Sequence, residues 1–217
     1  MDFKEFGTAR LGINSERFGS IYSFVDFGNV NYWYEKDRRD WDGKELTQSQ
    51  KLIVDIKKLA EFIDSFSVQK RFYYGFDIRA KRSWHIVFSA EKSGFVKVTK
   101  PIQFIRHYLG DAEVGGTHSK LVKTDVAGRY IEIPKSNFDV EITVDAIRLA
   151  EKYETFCLFS GDSDFAKLTQ FLKRQGKKVV IIAAGHVFHT LKEGADLYIN
   201  AQQIKAHVAA IKETSPR

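Results

Sequence analysis

The chain has 217 residues, of which 43% are hydrophobic and 14% aromatic, enough for one domain with a sizeable core. Its single cysteine, Cys157, excludes a disulfide and a cysteine-based zinc site, and no segment supplies the roughly 18 apolar residues of a membrane span. Lys and Arg number 34 against 28 Asp and Glu, and this net charge of +6 either favours a polyanionic partner or simply keeps the protein in solution.

Residues 1–20 carry charges throughout, contain Gly7, Gly12 and Gly19, and show no apolar period, so they read as a loose extension without a signal-peptide core. A soluble, unsecreted, cytoplasmic protein is expected. Residues 21–25 form the first predicted strand, closed by Asp26, and residues 29–43 form a loop rich in charge and aromatics. Leu52, Ile53, Ile56, Leu59, Ala60 and Ile63 recur at helical spacing and predict an amphipathic helix. Residues 68–76 return to strand character, and 80–90 predict a second helix. Between 95 and 133, short β-like runs are separated by Gly110, Gly115-Gly116 and Ala127-Gly128, which reads as a strand followed by one or two hairpins. From Asn137 onward helix (138–153), strand (155–160), helix (164–175), strand (178–183) and helix (186–194) alternate. Residues 198–200 add a short strand, followed by a helix carrying Ile204, Val208 and Ile211. The alternation predicts an α/β fold with a central, mostly parallel sheet flanked by helices. The expected boundaries are an extension at 1–20, a domain at 21–200 with a β-hairpin-rich insertion at 95–133, and a C-terminal helix and tail at 201–217.

Four aspartates stand where separate stretches of such a fold meet. Asp26 closes the first strand, Asp162 and Asp164 follow the buried-strand pattern of 155–159, and Asp139 opens a helix. Ligands of open α/β sheets bind outside the carboxyl ends of the strands. Carboxylates gathered there repel one another unless a hard cation holds them, which points to Mg²⁺ or Mn²⁺. At about 100° per residue, Val140, Val144 and Ile147 form one apolar ridge of the Asp139 helix and Ile142, Ala146 and Leu149 another, with Asp139 between them. A carboxylate in that arc needs a metal, a cation or the helix N-terminus. Glu141, Asp145, Arg148 and Lys152 share the remaining sector, read as a solvated face on which Asp145 pairs with Arg148. Helix capping is the competing explanation for Asp139, Asp162 and Asp164, and turn geometry for Asn29, which otherwise orients water or a phosphate. The six histidines, His186 and His189 included, are scattered away from these acids. No Walker or dinucleotide glycine loop and no Gly-x-Ser-x-Gly elbow is present.

The segments Phe24-Val25-Asp26-Phe27-Gly28-Asn29, Phe138-Asp139-Val140-Glu141-Ile142-Thr143-Val144-Asp145 and Leu158-Phe159-Ser160-Gly161-Asp162-Ser163-Asp164-Phe165 resemble the three signature segments of the NYN domain, in its LabA-like branch of the PIN-like nuclease superfamily. The resemblance spans roughly residues 21–200. It implies a PIN-like Rossmannoid fold, a divalent metal, Mg²⁺ or Mn²⁺, and hydrolysis of single-stranded RNA to 5′-phosphate and 3′-hydroxyl products. Carried over position by position, it makes Asp26, Asp139, Asp162 and Asp164 the acidic metal ligands and Asn29 their companion. It also marks Asp145 as a motif position, against the solvated-face reading. The family often has Lys-Gly before the helix aspartate, where this chain has Lys135-Ser136-Asn137-Phe138.

Arg79, Lys81, Arg82, Lys123, Arg129 and Lys135 are candidate RNA-backbone contacts, and Tyr32, Trp33 and Tyr34 candidate stacking rings. The 95–133 stretch is a candidate for substrate selection or for assembly of a homo-oligomer. Two rivals remain. One is a binding or regulatory module with the same fold and little turnover. The other is a phosphatase of the haloacid dehalogenase type, which wants an Asp two residues after the nucleophile, where Gly28 stands.

Overall fold

The computed structural model describes residues 10–110, 113 and 121–214; Gly115-Gly116 and His118 lie outside them. In chain order the strands are β1 (Ile21–Asp26), β2 (Gln50–Val54), β3 (Gln69–Phe76), β4 (Val96–Pro101), β5 (Gln103–Tyr108), β6 (Lys123–Asp125), β7 (Gly128–Lys135), β8 (Thr155–Phe159), β9 (Lys178–Ala183), β10 (Leu197–Asn200) and β11 (Ala209–Glu213). The α-helices are α1 (Ser15–Phe18), α2 (Phe27–Val30), α3 (Ile56–Asp64), α4 (Lys81–Lys92), α5 (Asp139–Arg148), α6 (Ala166–Arg174), α7 (His189–Glu193) and α8 (Lys205–Val208).

Six strands form one parallel sheet in the order β10-β9-β8-β1-β3-β4. The chain winds from β1 outward through β3 to β4, then returns to the other side of β1 at β8 and winds outward again. Strand order therefore reverses between β1 and β8, and a crevice opens at the carboxyl ends of that pair. Side chains alternate across the sheet and feed two cores. Val25, Phe72, Cys157 and Val180 pack on one face with α3, and Phe24, Tyr73, Phe156 and Leu158 pack on the other with α5 and α6. All five residues of β8 are buried, as its near-continuous apolar run requires of a central parallel strand.

Two smaller sheets flank this body. Antiparallel β5-β7-β6 stands apart, with β6 and β7 joined as a hairpin, while β4 from the same 95–133 stretch is the edge of the main sheet. β2 pairs antiparallel with β11. Here the structure departs from the predicted helices. Leu52 and Val54 are buried on one side of β2, and Asp55 then caps α3 by accepting the Lys58 N–H at 3.0 Å, so the helix starts at Ile56. Short apolar runs fit both periods, and pairing with β11 decides this one. By the same pairing Ile211 lies on a strand, not on a helix with Ile204 and Val208. The described part of the N-terminal stretch is not loose either, since Ile13 and Phe18 are buried in the first core.

Candidate functional site

β1 ends at Asp26, whose carboxylate is held by the buried Ser160 just past β8: Ser160 Oγ donates to Asp26 Oδ2 at 3.0 Å. The same Oγ accepts the Asp162 N–H at 3.3 Å. Asn29, on the short α2, accepts the Gly161 N–H and the Trp33 indole N–H, both at 3.3 Å, and so ties the end of β1 to the turn after β8. Asp162 accepts the Asp164 N–H at 3.0 Å through Oδ1, which caps the 3₁₀ turn Ser163–Phe165, and among the described residues its second oxygen accepts no hydrogen bond. For Asp162 the capping explanation and a ligand role therefore coexist.

Asp139 comes from a separate element, as the first residue of α5 after β7. Its own N–H donates to Asn137 Oδ1 at 2.7 Å, and Asn137 Nδ2 donates to Asp139 Oδ2 at 2.7 Å. Asn137 thus takes the first N–H of α5, and the Asp139 carboxylate does not cap the helix. The approach depends on Gly75 of β3, where a Cβ would overlap the Ser136 side chain. Only glycine lets the segment after β7 cross the strand this closely. Gly28 acts similarly on a smaller scale, since a Cβ there would press on Asp26 Oδ1 at 3.3 Å.

Asp139, Asp162 and Asp164 each present a carboxylate oxygen within 4.8 Å of the others. Asp26 stands outside this tight set but lines the same cavity as Asp139 and Asp162, a space of about 470 Å³ that Asn29, Lys135 and Tyr32 also border. Among the described residues none of the four aspartates has an ion pair. Burial pushes the Asp26 carboxyl up to about 6, against hydrogen bonds from Ser160 and Asn29 that lower it, and the charges of Asp139 and Asp162 add to the rise. Asp139 is raised as well, by burial first and then by Asp162, Asp164 and Glu141. All-oxygen donors, close mutual approach and uncompensated negative charge fit a hard divalent cation such as Mg²⁺ or Mn²⁺.

These shifts set a pH dependence. Asp26 has a folded pKa above its unfolded value of 3.8, so its stabilising contribution is full below that value and is lost as pH rises through about 6. The protein in EDTA is expected to gain up to ~3 kcal/mol of unfolding free energy from this group between about pH 7 and pH 4. Urea denaturation across that range checks it, and Asp26→Asn is expected to flatten the profile.

Other expected site residues are placed differently. Asp145 is buried, not solvated: it accepts from Arg71 Nη2 at 2.6 Å and from the Tyr73 hydroxyl at 2.9 Å, while the expected Arg148 pair forms at 2.8 Å. The face of α5 turned inward carries Ile142, Asp145 and Ala146, and Val140, Val144 and Ile147 are exposed. The Asp145 pair with Arg71 supplies the counter-charge that a helical wheel cannot show. Trp33 and Tyr34 are buried, with Trp33 stacked near Phe159 and the Tyr34 hydroxyl on the Ala201 carbonyl, so only Tyr32 is available to stack. Arg79 pairs with Asp77 and covers the Phe104 ring, and Lys123 pairs with Glu132. Lys81, Arg82, Arg129 and Lys135 are exposed. Ser160 and Asn137, the two orienting groups, were not among the expected residues. Their sequence signal is a polar residue two positions before each of Asp162 and Asp139.

Three comparisons bear on this arrangement. A model of the NYN domain family matches residues 24–202. The chain is 27% identical over 89 residues to the low amplitude and bright protein LabA of Synechococcus elongatus, a match covering 41% of this chain and 47% of that protein, so it spans about half of that relative's length. A crystal structure of a protein of unknown function from Vibrio parahaemolyticus superposes with a TM-score of 0.55 at 21% identity, over 86% of this chain and 95% of the other, which establishes likeness of fold.

Proposed function

The chain belongs to the NYN domain family, of the LabA-like kind and with its PIN-like fold, and from this premise we propose that it is a divalent-metal-dependent ribonuclease that hydrolyses phosphodiester bonds of single-stranded RNA. The family is generally one of nucleases. The observation that carries the finer reading is the convergence of Asp139, Asp162 and Asp164 within 4.8 Å, with Asp26 on the same cavity wall and no ion pair on any of them among the described residues.

In this reading Asp139, Asp162 and Asp164 hold Mg²⁺ or Mn²⁺, with Asp26 completing the site. The ion supplies charge stabilisation for a phosphoryl group and acidifies water. The protein's own groups set the geometry. Ser160 fixes one oxygen of Asp26, Asn137 fixes Asp139, and the 3₁₀ turn fixes Asp162 relative to Asp164. Asn29 commits its carbonyl oxygen to Gly161 and Trp33, which leaves its NH₂ to donate to water or to a phosphate oxygen. Lys135, on the cavity wall, offsets substrate charge.

Purified protein is expected to cleave a labelled single-stranded RNA with Mn²⁺ or Mg²⁺, to stop in EDTA and to resume on addition of excess metal. Gel electrophoresis of the products checks this. RNA binding with no cleavage under any divalent metal would overturn the enzyme assignment in favour of a binding module.

A further inference from the structure

The acidic cavity does not end at the aspartates. A second cavity of about 250 Å³ shares Asn31, Tyr32, Tyr74 and Ile102 with it, so the two are chambers of one groove. The second chamber has apolar walls from Leu52, Ile86 and Ile102 and carries the side chains Glu35, Lys51 and Arg82. None of those three charged groups makes an ion pair among the described residues, whereas Asp77 in the same wall is paired with Arg79. Tyr32, on the shared wall, is 60% exposed although its neighbours Trp33 and Tyr34 are buried.

The chemistry of this chamber is unlike that of its neighbour. A phosphate site offers donors only, and a cation site offers acceptors without apolar walls. This one sets the Glu35 carboxylate, the Arg82 guanidinium, the Lys51 ammonium and the Asn31 carboxamide beside aliphatic surface, so donors and acceptors are both present. A nucleobase has that combination, with flat apolar faces and an edge bearing both donors and acceptors. The exposed Tyr32 on the wall shared by the two chambers supplies a surface on which a base stacks.

Resting on the reading of the chain as acting on single-stranded RNA, we infer that the second chamber is a nucleobase pocket for a nucleotide adjacent to the one whose phosphate enters the acidic cavity. Tyr32 stacks on the base, and Arg82 and Glu35 meet its edge. The edge that such a pocket reads is hidden in a duplex, so strand state and base preference are both selected here, apart from the chemistry.

The test is binding of a short fluorescein-labelled single-stranded RNA in the Asp162→Asn background with Mn²⁺, followed by fluorescence anisotropy. Adding Tyr32→Ala or Arg82→Ala is expected to weaken binding about tenfold or more. Tyr32→Phe is expected to retain it, and Arg82→Ala to flatten the ranking of A, C, G and U homopolymers. Tyr32 and Arg82 are exposed, and unchanged thermal melting separates their effect from unfolding. Binding unaffected by both alanine variants, or no base ranking in the parent, overturns the pocket while wild-type cleavage leaves the ribonuclease reading standing. A wild-type protein that neither binds nor cleaves RNA removes that reading, and the pocket with it.

Discussion

Replacing Asp162 by Asn is expected to lower Mn²⁺-dependent cleavage of single-stranded RNA more than about 100-fold, beyond the 10- to 100-fold carried by groups that only orient a metal ligand. Asn has the same shape and keeps an oxygen for the Asp164 N–H, so the cap of the 3₁₀ turn survives. The substitution therefore removes charge with little change in structure. Removing one of several mutually repelling carboxylates also relieves Asp26 and Asp139, both of which feel Asp162. In EDTA the variant is expected to melt at or above the wild-type temperature. Single-turnover cleavage and calorimetry check the two halves. Cleavage within about threefold of wild type would place the chemistry elsewhere.

Asp145→Ala is expected to act on folding instead, costing about 3–5 kcal/mol in urea denaturation because it strands a buried guanidinium. Arg71 and Asp145 side chains are each 11% exposed, and Asp145 joins Arg71 and Tyr73 of β3 to α5. Burial works against the charged form of Asp145, but hydrogen bonds from Tyr73, Arg71 and Arg148 and the Arg71 charge outweigh it and hold the carboxyl below its usual range. Its contribution to stability is therefore present above the ordinary carboxylate pKa and lost as pH falls through the folded value, the reverse of Asp26. Affinity for Mn²⁺ in the folded variant, measured by titration calorimetry, is expected to stay near wild type. A variant that folds normally but binds metal poorly would instead make Asp145 part of the site, as the family motif position implies.

Elements whose pattern is set by their own residues were legible in the sequence. The continuous apolar runs of β8 and β9 and the strand closed by Asp26 needed no partner to be recognised, and with them came the placement of Asp26 and Asp162 at strand ends. What failed depended on distant pairing. Leu52 and Ile53 fit a helix until β11 pairs with β2 and makes them a strand. Asp145 looked solvated because its partner Arg71 lies on β3, 74 residues away. The same wheel put Val140, Val144 and Ile147 with the apolar arc, although only the other ridge meets the sheet. Ser160 and Asn137 were overlooked because a serine or asparagine beside a turn has ordinary local uses.

The pairing of β2 with β11 has a consequence for where the working unit stops. The family match closes at residue 202, yet the strand that fastens β2 begins at Ala209. Leu52 and Lys51, which wall the second chamber, sit on that fastened strand. A polypeptide trimmed at the family's outline would keep Asp26, Asp139, Asp162 and Asp164 and lose the latch on the groove beside them. It would also bare the Leu52-Ile53-Val54 edge to intermolecular pairing. For this chain the homologous region stops short of β11, the strand that pairs with β2 behind the lining residues Lys51 and Leu52.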